Sequence, residues 1–221
     1  MKRNTPSRRN ALQQLFETEG AAPRIKLCGM TRAIDIKMTN QAQSEFCGFI
    51  INVAKSKRTI TPQQQAELVE LLDPNIFAVG VLVDEPLSSA IALAESGHFD
   101  ALQLHGHEDA GYIKELKRHS SVPLIQAFQM NDAFSRSRLS SSIADMILLD
   151  SGSGSGRTFD WESIPEGTRP FFLAGGLDPG NIAQAIAQVH PWGVDLSSGL
   201  ETDGHKDEHK IHEAIHAVRS N

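Results

Sequence analysis

The chain has 221 residues, 40% of them hydrophobic and 22% charged, and a formal net charge of −6. This is ordinary soluble globular composition, and the acidic balance does not favour nucleic acid as a partner. Two cysteines, Cys28 and Cys47, are too few for a disulfide framework and suit a reducing, cytoplasmic setting, and no apolar run approaches the ~20 residues of a membrane span.

Residues 1–23 carry basic side chains but no apolar stretch of the secretory kind. They read as an N-terminal extension with one short helix around Ala11–Glu17. From Arg24 onward, β-rich runs alternate with amphipathic stretches. The strand candidates are RIKLC (24–28), FCGFII (46–51), FAVGVLV (77–83), ALQLH (101–105), PLIQAF (123–128), MILLD (146–150), PFFLA (170–174) and GVDLS (193–197). Between them lie helical patterns such as TPQQQAELVELL and DPGNIAQAIAQVH. Thr61-Pro62 supplies a cap and a first-turn proline, and Asp84–Pro86 and Asp178-Pro179 resemble it. Alternating strands and helices imply right-handed crossovers and a parallel sheet. Eight such units over residues 24–221 fit a closed (β/α)8 TIM barrel, an α/β fold in a single domain, better than an open sheet.

In such a barrel, function gathers at the C-terminal ends of the strands. Cys28, His105 and Asp150 end the first, fourth and sixth strands. Gly175-Gly176 follows the seventh; the eighth carries Asp195 and runs into Ser197-Ser198-Gly199. The second strand leads into a basic loop with Lys55, Lys57 and Arg58. Each has a purely structural explanation: a strand cysteine is usually a small buried hydrophobe, the reading preferred for Cys47, and an aspartate after a strand is often a helix cap. Their convergence on one rim favours function. Side chains alternate along a strand, so Lys26 shares a face with Cys28. A buried Lys26 needs an acidic partner, Asp195 or Asp150, and its ammonium is expected to lower the Cys28 thiol pKa. Glycines after the last strands let backbone N–H groups approach a phosphate. His205, His209, His212 and His216 lie on or near the last helix, the last three on one face; a metal site and a solvated face are both readings of them, and a position away from the rim favours the second.

The stretch LLDSGSGSGRTFDW (148–161) poses a choice between a linker and a mobile loop. Composition is alike on both sides, which favours a loop closing over substrate. Gly154 and Gly156 are then hinge candidates, and Phe159 and Trp161 would anchor the far end by burial.

The segments KLCGMTR (26–32), KSKRTITP (55–62), VGVLVDEP (79–86), QLHGHED (103–109), LLDSGSGSGRTFDW (148–161), LAGGLDPGNI (173–182) and GVDLSSGLETDGHKD (193–207) occur here in family order. Together they make the chain resemble the phosphoribosylanthranilate isomerases of tryptophan biosynthesis. The resemblance implies a TIM barrel, monomeric or homodimeric, acting on a small phosphoribosyl amine by an Amadori rearrangement with no metal or organic cofactor. It makes Cys28 the general base and Asp150 the general acid, and sets Arg58 on the anthranilate carboxylate. The glycines at 175, 176 and 199, with Ser198, would bind phosphate under the Gly154/Gly156 loop, and His105 and Asp195 would support the substrate. Val53-Ala54 and Asp84 depart from the usual family residues, and residues 1–23 have no counterpart in the pattern. Three alternatives stand beside this reading: an isomerase of histidine biosynthesis or a bifunctional relative, a phosphate-ligand binding barrel without turnover, and one half of a fusion enzyme.

Overall fold

The structure is a computed structural model that describes residues 3, 5–18, 22–151 and 160–220. In chain order its elements are α1 (Pro6–Glu17), β1 (Arg24–Cys28), α2 (Ala33–Ala42), β2 (Phe46–Ile51), β3 (Thr59–Ile60), α3 (Pro62–Leu71), β4 (Phe77–Leu82), α4 (Leu87–Glu95), β5 (Ala101–Leu104) and α5 (Ala110–His119). They continue with β6 (Leu124–Gln129), α6 (Ala133–Ser137), β7 (Met146–Asp150), β8 (Phe171–Ala174), α7 (Ile182–Val189), β9 (Gly193–Leu196), the hairpin β10 (Glu201–Thr202) and β11 (His205–Lys206), and α8 (Glu208–Arg219). Strands β1, β2 and β4 to β9 pair in parallel, and the β1–β9 and β1–β2 pairings close them into an eight-stranded barrel. All eight expected strands are present, within one residue at either end.

The side-chain alternation divides the core in two. Ile25, Leu27, Cys47, Phe49, Ile147, Leu149, Leu173 and Val194 point outward and pack in one cluster with helix residues such as Ile36, Leu68, Leu116 and Ile215. Residues of the opposite parity, including Phe46, Val79, Ala101, Ile125, Met146, Leu148 and Phe172, form a second cluster inside the barrel. Lys26, Gln103, Asp150 and Asp195 share that inward parity, so the upper part of the same interior is polar.

The lower end is closed by α1. The helix begins at Pro6, earlier than the expected Ala11, because Thr5 caps it by accepting from the Arg8 amide and proline suits the first turn. Leu12 and Phe16 are buried in the inner cluster. Phe16 meets Trp192 edge to face at 5.6 Å between centroids and stacks on Phe46 at 6.3 Å. Arg8 donates to both oxygens of the buried Asp100 carboxylate, and Arg3 donates to the Ile76 carbonyl at 2.6 Å.

Two expected helix starts are corrected. Thr61 does cap α3. Asp84, however, has a left-handed backbone (φ 51°) and accepts from the His107 amide at 2.6 Å, tying two loops together; α4 starts after Pro86 with no side-chain cap. Asp178 likewise accepts from Gly180 and Asn181, and α7 begins only at Ile182, because the aspartate closes a turn before the helix. Two small features were not anticipated. β1 pairs with the lower half of β2, and β3 takes over above it at Ile50 and Ile51, raising the wall beside Cys28. The β10–β11 hairpin stands over the end of the last strand.

Candidate active site

The upper mouth of the barrel holds a cavity of about 540 Å³. Cys28, Arg58, His105, Asp150, Gly175, Gly176, Asp195 and Ser198 all line it. Gly199 does not: a Cβ there would lie 2.1 Å from the Leu177 carbonyl oxygen, so it serves the close approach of two loops. Gly154, Gly156 and Phe159 lie outside the described residues. Trp161 is half-buried against the outer core, in a short turn at Trp161–Ser163.

Cys28 ends β1 and is buried, facing inward as the strand alternation requires. One step down the same face, Lys26 is fully buried and donates to Asp195 Oδ2 at 2.8 Å. Its ammonium also stands close enough to the Cys28 thiol for the two charges to influence each other. Both groups need the bare backbone of Gly48 on the neighbouring strand, where a Cβ would stand 2.7 Å from Cys28 Sγ and 3.0 Å from Lys26 Nζ. Of the two expected partners, Asp195 is the one Lys26 takes. The expected lowering of the thiol pKa is not found. Burial pushes the Cys28 thiol up, and the attraction of Lys26 recovers only part of that, because Asp195 shares the ammonium and adds its own negative charge.

Asp150 ends β7, three strand positions from β1 around the ring. Its Oδ2 lies 3.1 Å from His105 Nε2, and His105 Nδ1 lies 2.8 Å from the Gln103 amide nitrogen. Burial disfavours a charged His105, but the hydrogen bond and the charge of Asp150 outweigh it, and the imidazole pKa is raised. Gly175, at φ 86°, lets the next loop pass close by: a Cβ there would meet Ser151 Oγ at 2.2 Å and Asp150 Oδ1 at 2.7 Å. One carboxylate oxygen at the floor, Asp195 Oδ1, and the Gln103 side-chain oxygen are buried without a hydrogen-bond partner among the described residues.

Arg58 brings the one arginine of the lining among the described residues. Its aliphatic stem crosses Gly29, where a Cβ would come within 2.5 Å of Cδ. Its Nε and Nη2 donate to the two oxygens of Glu201 at 2.5 and 2.7 Å. The arrangement thus joins a thiol beside an ammonium, a carboxyl beside an imidazole, and a guanidinium at the rim. Such a set can move protons on and off a small anionic molecule.

A family model described as N-(5′-phosphoribosyl)anthranilate (PRA) isomerase matches residues 25–217. The chain belongs to the N-(5′-phosphoribosyl)anthranilate isomerase family. A relative of that name from Endomicrobium trichonymphae is 39% identical, covering 90% of this chain and 99% of its own; one from Thermoanaerobacter sp. (strain X514) is 37% identical over 89% and 98%. The solved phosphoribosyl anthranilate isomerase of Thermotoga maritima superposes with a TM-score of 0.80 at 32% identity, covering 90% of this chain and all of that one. A further family structure, solved in complex with reduced 1-(o-carboxyphenylamino)-1-deoxyribulose 5-phosphate, gives a TM-score of 0.76 at 30% identity over 90% and 100%. As a phosphoribosylanthranilate isomerase family member, the chain is an enzyme of tryptophan biosynthesis with the TIM-barrel fold.

Sequence reasoning named Cys28, Arg58, His105, Asp150 and Asp195, which the structure brings to one cavity, but did not name Gly48, Gln103 and Glu201 around them. Gln103 was open to detection, since it sits two residues before His105 and so on the same strand face. Glu201 carried no such signal, because its partner lies 143 residues away. The histidines of the last helix are exposed, and His209 pairs with Glu213 of its own helix at 3.2 Å.

Proposed function

We propose that this chain converts N-(5-phosphoribosyl)anthranilate to 1-(2-carboxyphenylamino)-1-deoxyribulose 5-phosphate, with Cys28 as general base and Asp150 as general acid. Asp150 gives a proton to the ring oxygen as the nitrogen lone pair opens the ring and leaves an iminium at C1′. The Cys28 thiolate then removes the C2′ proton, and the freed electron pair neutralises the iminium to give an enolamine. Tautomerisation to the ketone completes an isomerisation with no net gain or loss of atoms or electrons. The two groups are set on strands well apart around the mouth, which lets them address the ring oxygen and C2′ separately.

The observation that carries the reading is the different character of the two partners. Cys28 stands against a buried ammonium, which favours its thiolate, and Asp150 stands against an imidazole, a partner with which a carboxyl can share a proton. The same cavity offers Arg58 for the aryl carboxylate and the Gly175-Gly176 and Ser198 turns for the phosphate. The relatives carry the name of this reaction, and the reduced product analogue of the solved family complex has both anionic groups.

The test is an anthranilate-fluorescence assay on enzymatically generated substrate. Cys28→Ser and Asp150→Asn should each lower kcat by about 10²–10⁴-fold while the reduced product analogue still binds. Near-normal rates in both variants would overturn the two assignments.

A further inference from the structure

Resting on the reading that Arg58 holds the aryl carboxylate, we infer that Glu201 is a positioning residue that presents the free edge of the Arg58 guanidinium to that carboxylate. A guanidinium has five N–H donors in one plane and can meet carboxylates along more than one edge. Glu201 takes the Nε/Nη2 edge, one oxygen on each nitrogen, at 2.5 and 2.7 Å. That leaves the Nη1/Nη2 edge, and Arg58 makes no other side-chain hydrogen bond among the described residues. Arg58 lines the cavity and Glu201 does not. The free edge is therefore available to a second carboxylate while the first stays in place.

Glu201 is itself fixed. Lys206, across the β10–β11 hairpin, donates to Glu201 Oε1 at 2.8 Å and to the Ser197 carbonyl at 2.9 Å. Lys210 donates to the Glu201 backbone carbonyl at 2.6 Å. On the other side, the bare backbone of Gly29 seats the Arg58 stem. A long side chain on a rim loop is thereby held in one orientation before substrate arrives, and that preorganisation lowers the ordering cost of binding. Charge is arranged to match: Lys206 and Arg58 together outweigh the one carboxylate, so the cluster remains attractive to a further anion.

The experiment compares two ligands on the wild type, Glu201→Gln, Glu201→Ala and Arg58→Ala. One ligand is the reduced 1-(2-carboxyphenylamino)-1-deoxyribulose 5-phosphate; the other is its phenylamino counterpart without the carboxylate. Both Glu201 variants should weaken the carboxylated ligand by about tenfold, leave the other ligand unchanged, and raise KM with kcat held within about threefold. Arg58→Ala should remove the preference between the ligands. If the Glu201 variants keep the wild-type preference, or lose both ligands equally, or bind the carboxylated ligand more tightly, the positioning role is overturned. If Arg58→Ala itself keeps the preference, the fault lies earlier, in the assignment of Arg58 to the carboxylate.

Discussion

Lys26 and Cys28 illustrate what a single side chain needs from its neighbours. A fully buried ammonium is tolerable only with a counter-charge, and Asp195 supplies it. The pairing then limits what Lys26 can do for the thiol, whose pKa stays above its ordinary value because burial dominates. On the proposed roles Cys28 must be thiolate while the Asp150–His105 pair still holds a proton, so kcat/KM should rise with pH only until that pair titrates, level off, and fall above the raised thiol pKa. Lys26→Met removes the strongest influence that favours the thiolate and should lower that level rate and move the alkaline fall to still higher pH. A pH–rate profile measured by fluorescence checks both, and superimposable profiles for the two proteins would separate Lys26 from the base. Gly48 makes a second test at this scale. In Gly48→Ala the added methyl would press on Cys28 Sγ and Lys26 Nζ, both interior atoms with little room to move. Turnover should fall by at least about tenfold while the fold is retained, at an overpacking cost of about 1–3 kcal/mol. Unaltered turnover would mean that the thiol and ammonium can shift without consequence.

Among the elements, the barrel strands were legible and the features that finish the site were not. Each barrel strand is a short apolar run bounded by turn residues, a signal contained within five or six neighbours. The same alternation identified Lys26 as an interior residue and allowed its acidic partner to be named as one of two. The two-residue pairs β3 and β10–β11 are too short to have a period, and only the closed barrel brings them beside Cys28 and Arg58. Asp178 misled because a cap and an Asx turn use the same residue, and Asp84 because its carboxylate is taken by a loop 23 residues away. The β10–β11 hairpin carries its own pH prediction. Burial alone would raise Glu201, but hydrogen bonds from Arg58 and Lys206 win and hold it down to about 2. A depressed carboxyl contributes stability that is present above its unfolded value of roughly 4.3 and is lost as pH falls toward about 2. Glu201→Gln should therefore flatten the acid limb of stability in that window, as read by denaturant midpoints at pH 5 and at pH 3. An equal loss between those pH values in variant and wild type would show that other carboxyls carry the limb.

At the scale of the whole molecule, stability and chemistry occupy opposite ends of one barrel. The lower interior is aromatic and aliphatic, sealed by α1; the upper interior is Lys26, Gln103, Asp150 and Asp195. The family model begins at residue 25, so α1 lies outside the matched region, yet it buries Leu12 and Phe16 against residues of that region. The helix reads in the sequence as a polar extension because only two of its side chains are buried, and what they pack against comes from strands throughout the chain. Removing Phe16 opens a cavity next to Phe46 and Trp192, where the rings cannot easily collapse inward because Phe172 already packs between them at 5.3 and 5.0 Å. Phe16→Ala should cost about 3–5 kcal/mol, which for a chain of this size lowers Tm by roughly 6–20 °C. Its kcat and KM at 25 °C should match the wild type, since the polar layer stands between the lost ring and the cavity mouth. Thermal denaturation and the fluorescence assay on the same preparation decide it: a loss of kcat at 25 °C in folded protein would mean that packing at the lower end holds the geometry of Cys28 and Asp150, and that the two ends of the barrel are coupled.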